Sequence, residues 1–147
     1  MVEHLYIHIP YCHRICPYCS FYKHLPGQAD QAELVNAILA EARHRSDDSP
    51  VPVRPRTIYL GGGTPSLLKA EHLQRLILGL DELFDPTHVE ERSMEANPRT
   101  FDLAKAKTMR EIGIHRVSLG VKSWDPQTLH TLGRDHSPDE ATDAFHV

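Results

Sequence analysis

Glu3-His4-Leu5-Tyr6-Ile7-His8-Ile9-Pro10, followed at once by Tyr11-Cys12-His13-Arg14-Ile15-Cys16-Pro17-Tyr18-Cys19, decides how the rest of the chain is read. Leu5, Ile7 and Ile9 alternate with other residues in a run rich in β-formers, which predicts a strand. Pro10 stops it because proline has no N–H to give to a ladder. The cysteines therefore fall on a loop at the C-terminal end of a strand. They are the chain's 3 cysteines, all within residues 12–19. That is an odd number, packed too tightly for a disulfide framework, so the group reads as a metal site in a reducing compartment.

Outward from this unit the same order recurs. Leu34, Val35, Ile38, Leu39 and Ala42 recur at helical spacing and predict a helix from Gln28 to Arg45 with one buried face. Ser46 to Pro55, polar and proline-bearing, is a connector. Thr57 to Leu60 reads as a strand ending at Gly61, and Leu73, Leu76, Ile77 and Leu80 mark a second helix. A third strand is expected over Glu91–Glu95, before Asn97-Pro98, then a helix from Phe101 to Ile112 closed by Gly113. Arg116 to Val121 is a fourth strand and Pro126 to Leu132 a short helix. Ser137-Pro138-Asp139-Glu140 opens another helix with a capping Ser, a first-turn Pro and a Glu three residues after the cap. Four β-loop-α units predict an α/β fold with a parallel sheet. A complete (β/α)₈ barrel needs about 250 residues. The 147 residues are therefore expected to form one domain, 1–147, truncated at its C-terminus with the barrel incomplete.

Composition narrows the partners. A net charge of -4 and a pI near 6.2 leave no electrostatic footprint for nucleic acid or anionic membrane. No run approaches the roughly 18 apolar residues of a membrane span, and Met1 to Pro10 lacks a signal peptide's basic start and apolar core. A cytoplasmic location is expected.

The motifs that carry chemistry sit at predicted strand ends. Cys12, Cys16 and Cys19 can curl three thiolates around one centre, as an iron-sulfur cluster needs, leaving one iron of a four-iron cube open to a ligand. The competing reading is a structural Cys₃His zinc site completed by His24, His8 or His13. Gly61-Gly62-Gly63-Thr64-Pro65, between strand and helix, allows a ligand close to the backbone. Glu95 closes the third strand with a carboxylate that can accept hydrogen bonds from an ammonium or hydroxyls. Ser118 to Ser123 leads out of the fourth strand, and Leu132-Gly133-Arg134-Asp135-His136 follows.

The segments Tyr6 to Cys12 and Cys16-Pro17-Tyr18-Cys19-Ser20-Phe21 closely resemble the opening of the oxygen-independent coproporphyrinogen III oxidase family of radical S-adenosylmethionine (SAM) proteins. The later motifs extend the resemblance from Tyr6 to about Ala144. It implies a partial TIM barrel in which Cys12, Cys16 and Cys19 hold a [4Fe-4S] cluster whose open iron binds SAM. The SAM-binding positions it implies are Tyr6, Tyr18, Gly62, Gly63, Thr64, Glu95, Lys122 and Arg134. Lys122 stands where the family has Gln, and lysine cannot accept a hydrogen bond and adds a cation. A zinc knuckle would need none of the strand-end motifs.

Within the family, oxidases carry a further cysteine two residues after the third, where this chain has Phe21. That form resembles the haem-chaperone branch. The resemblance thus implies a protein that binds haem and passes it to an acceptor protein. The alternative is an oxidase that decarboxylates the propionates of coproporphyrinogen III, a porphyrinogen.

Overall fold

The structure, a computed structural model, describes residues 1–26 and 30–147. Its chain order is β1 (Val2–Ile9), α1 (Gln31–Asp47), β2 (Val53–Gly62), α2 (Ala70–Leu83), β3 (Glu91–Ala96), α3 (Leu103–Glu111), β4 (Arg116–Leu119), α4 (Pro126–Thr131) and α5 (Pro138–His146). Single 3₁₀ turns at Pro65–Leu67 and Pro86–His88 precede α2 and β3. The strands form one parallel sheet in the order β1-β2-β3-β4, the α/β architecture expected. Sequential order with a helix in each crossover is how a barrel wall is wound.

Alternation sorts the sheet's faces. Ile7, Ile9, Ile58, Leu60 and Met94 point to the helices and join Val35, Leu73, Leu76, Ile77, Leu80 and Met109 in one buried core. Burying each such side chain contributes about 1.5–3 kcal/mol. The register brings Tyr6 beside Tyr59, Tyr59 beside Ser93, and Glu95 beside Ser118 on the opposite face. Tyr6 is 58% exposed there.

Boundaries moved for identifiable reasons. The first two residues expected in α1, Gln28 and Ala29, lie outside the described residues; the helix observed starts at Gln31, after Asp30, whose side chain accepts from Ala32 N. β2 begins at Val53, inside the expected connector, because Val2 N donates to Pro52 O (2.9 Å) and Val2 pairs with Val53. A register irregularity between Val2 and His4 accommodates Pro55. β4 stops at Leu119, two residues short of the expected end. Gly120 N still donates to Ala96 O (2.8 Å), but Val121 N turns back to Leu119 O (3.0 Å) and Lys122 adopts φ 75°. The sheet ladder ends there.

Candidate functional site

The C-terminal strand ends surround a cavity of about 320 Å³. All three cysteines line it, with Tyr18, Gly62, Gly63, Thr64, Glu95, Lys122 and Arg134. A larger groove, about 550 Å³, runs beside β1 and α1, lined by residues such as Ile38, Ala42, Val53 and Phe84. It holds no cysteine, so the smaller cavity is where the chemistry is gathered.

The cysteine loop is held at both ends. Cys12 N donates to His24 O (3.0 Å) and His24 N to Pro10 O (2.9 Å), a one-residue extension of pairing that closes the loop base. The Gly-rich turn then packs under it: Gly63 N donates to Ile9 O (2.8 Å), and a Cβ on Gly63 would stand 2.5 Å from Tyr11 O. No side chain fits that gap. Thr64, 2% exposed, directs its hydroxyl to Cys12 Sγ at 3.7 Å. From the opposite side Arg134 donates Nη1 to Cys16 Sγ (3.5 Å) and Nη2 to Asn97 Oδ1 (2.6 Å) and Gly120 O (2.7 Å). His13 pairs with Asp135, tying the loop to the same segment. Burial pushes the Cys12 thiol up, the Thr64 hydrogen bond opposes this, and the Cys19 and Cys16 sulfurs nearby add to the rise. Burial likewise raises the Tyr18 phenol, against the pull of Arg134.

Glu95 is fixed by two donors. Tyr59 OH reaches Oε1 at 2.8 Å and Gly62 N reaches Oε2 at 3.1 Å. Burial and the Glu95 hydrogen bond push the Tyr59 phenol up to about 12. The carboxylate keeps lone pairs for a cationic ligand.

Tyr6 is the expected residue that does not line the cavity. It lies lower on the open sheet face, where its hydroxyl meets His8 Nδ1 (2.9 Å) and its ring stacks on Tyr59 at 6.1 Å. Asn97, Tyr59 and Ser118 belong to or support the site without having been singled out. Strand alternation places Tyr59 and Ser118 on the face of Glu95, whereas Asn97 reads in sequence only as a turn residue before proline.

The residues fit an iron-sulfur cluster and SAM better than one zinc ion. Among the described residues no three His, Cys, Asp or Glu side chains are drawn together as a single ion requires. A four-iron cluster takes each thiolate on a different iron, so thiols spread around one cavity suit it. His8 spends Nδ1 on Tyr6 and Nε2 on Tyr22 O (2.9 Å); His13 is bound to Asp135; His24 turns Nδ1 to Leu25 O (3.0 Å) and its ring edge to Tyr11. No histidine lines the cavity. Arg134 Nε, buried and without a partner, leaves a donor unspent at the site.

Comparison with known proteins agrees with this geometry. The family profile described as "Radical SAM superfamily" matches residues 6–147. The heme chaperone HemW of Escherichia coli (strain K12) is 38% identical over 141 residues, covering 93% of this chain and 36% of the relative. HemW of Bacillus subtilis (strain 168) is 33% identical, covering 95% and 37%. The solved structure of coproporphyrinogen III oxidase (HemN) from Escherichia coli, described as a radical SAM enzyme, superposes with a TM-score of 0.85 at 25% identity. It covers 99% of this chain and 33% of that one. The chain thus spans about a third of the length of these relatives. Among the described residues no helix is long and apolar enough to cross a membrane. Fold, strand-end cavity and profile agree that this chain belongs to the radical SAM superfamily, whose members use SAM and a [4Fe-4S] cluster.

Proposed function

We propose that residues 1–147 are the radical SAM core of a haem chaperone, a protein that binds haem and hands it to an acceptor protein. The observation that carries the core reading is the convergence of Cys12, Cys16, Cys19, Gly62, Gly63, Thr64, Glu95 and Arg134 on one cavity at the strand ends. Cys12, Cys16 and Cys19 hold the cluster, which when bound supplies one electron to SAM. Glu95 receives the amino group of SAM, with Tyr59 and Gly62 fixing its carboxylate. The Gly62-Gly63-Thr64 turn gives its backbone to the methionine end, Tyr18 and Arg134 close the cavity wall, and Tyr6 supports Tyr59 from below. Lys122 brings a cation to the cavity mouth and suits a carboxylate of the ligand better than its sulfonium. A thiolate-held cluster belongs in a reducing compartment, so the cytoplasm is the proposed location.

Phe21 separates chaperone from oxidase. It stands two residues beyond Cys19, lines the cavity and is 63% exposed. A phenyl ring there cannot ligate a metal, yet offers an apolar face to a porphyrin. The similarity to HemW proteins supports the same reading. Oxidase activity, the removal of carboxylate from coproporphyrinogen propionates, is the second reading and rests on the likeness to HemN.

Anaerobic reconstitution of the full-length protein tests the core. About four irons and four sulfides per chain, lost on Cys16→Ala, are expected. One zinc and no sulfide would refute it. Stoichiometric haem uptake without conversion of coproporphyrinogen III is the expected chaperone outcome, and turnover to protoporphyrinogen would establish the oxidase instead.

A further inference from the structure

A chain of hydrogen bonds joins two of the cysteine sulfurs through Asn97, a residue that reads in sequence only as part of a turn. Arg134 has donors and no acceptor, so the Asn97 side-chain atom 2.6 Å from Nη2 must be the carbonyl oxygen. That fixes the amide: Asn97 Nδ2 is turned to Thr64 Oγ1, at 3.4 Å, and donates to it. With a lone pair of the Thr64 hydroxyl so engaged, its proton is free to point at Cys12 Sγ, 3.7 Å away. At the other end the same guanidinium, held by Asn97 and Gly120 O, presents Nη1 to Cys16 Sγ at 3.5 Å. Cys19 receives nothing from this chain; Lys23 donates to its backbone carbonyl at 2.7 Å.

Thr64 is 2% exposed and a Cβ on Gly120 would stand 3.0 Å from Asn97 Oδ1, so packing leaves the network little room to rearrange. Donors at a thiolate sulfur withdraw negative charge and favour the more negative, reduced form of a cluster, which raises its reduction potential. We propose that Asn97 is a positioning residue that sets one hydrogen-bond donor on Cys12 and one on Cys16, and so raises the potential at which the cluster accepts its electron. The inference rests on the reading of these cysteines as cluster ligands.

The test is an anaerobic redox titration of the reconstituted full-length protein, followed by the electron paramagnetic resonance signal of the reduced cluster, without SAM, at matched iron and sulfide content. Asn97→Ala should lower the potential, so that the ratio of reduced to oxidised cluster at a fixed potential falls by up to tenfold. Tenfold corresponds to about 59 mV for one electron. Asn97→Asp keeps an acceptor for Arg134 but draws the Thr64 hydroxyl proton to its carboxylate and adds a negative charge, and should lower the potential at least as far as Ala. Thr64→Val should reproduce part of the shift, and Thr64→Ser, which restores the hydroxyl, should return the potential to wild type. That pair decides the matter if Asn97→Ala does not load a cluster. Wild-type potentials in both Asn97→Ala and Thr64→Val, with full clusters, would overturn the role of Asn97 and leave the cluster reading intact. A wild-type protein that takes up no iron and sulfide would overturn both.

Discussion

Tyr59 shows how much one hydroxyl can do at a strand end. Its bond to Glu95 and its burial hold the phenol protonated up to about 12, above the usual value of 10.0. A folded-state value raised above the unfolded one means stability that is complete below pH 10 and is lost as pH climbs toward 12. Alkaline unfolding of Tyr59→Phe should therefore show a shallower loss across that window than wild type. Equal slopes would mean that the phenol does not titrate with folding. Gly63 makes the complementary case, a residue whose value is the absence of a side chain. Gly63→Ala puts a methyl against the Tyr11 carbonyl at 2.5 Å, and overpacking of that kind typically costs about 1–3 kcal/mol. A lowered urea midpoint with reduced iron content on reconstitution is expected, since the same contact seats the cysteine loop.

At the scale of elements, caps fix where helices begin and so where loops carry the site. The Ser137 hydroxyl accepts from Glu140 N (3.1 Å) while Glu140 Oε2 accepts from Ser137 N (2.8 Å), a reciprocal capping box. Ser137→Ala should cost about 1 kcal/mol, read as a lower denaturation midpoint. Faster amide exchange should be confined to the first turn of α5. This box was legible in sequence, as were the four strands, because apolar alternation and Ser/Pro/Glu spacing are local signals. The early end of β4 was not. There Arg134 and His136 take Gly120 O (2.7 Å) and Val121 O (2.9 Å), contacts that span 14 and 15 residues, so residues beyond Gly133 decide where this earlier strand stops competing for its ladder. Asn97 was missed for a similar reason: an Asn before Pro reads as a turn, and its partners lie at positions 64 and 134. The cysteines and the glycine turn were readable because their chemistry is concentrated in contiguous residues. Tyr6 was placed by its motif, but its distance below the strand end set it against Tyr59.

The whole molecule is tied across its layers by Arg92 and Asp81. Arg92 lies on β3, 8% exposed, and its guanidinium pairs with Asp81 of α2 and donates to Ile112 O (3.3 Å) at the end of α3. Its backbone N–H donates to His115 Nδ1 at 2.9 Å, just before β4. One side chain thus joins two helices to the strand that carries Glu95. The pair is not free of cost: burial raises the Asp81 carboxyl even though Arg92 pulls it down, and Arg92 Nε has no partner. Removing one member should therefore hurt more than removing both. Asp81→Leu leaves a buried guanidinium with one carbonyl and should destabilise by about 3 kcal/mol, whereas Asp81→Leu with Arg92→Met exchanges two desolvated charges for apolar contact. In urea denaturation the double variant should unfold at a higher midpoint than Asp81→Leu alone, with a coupling of about 1–3 kcal/mol between the two positions. Additive losses would show that each side chain acts through separate contacts, and that the layers are held by the apolar core without this tie.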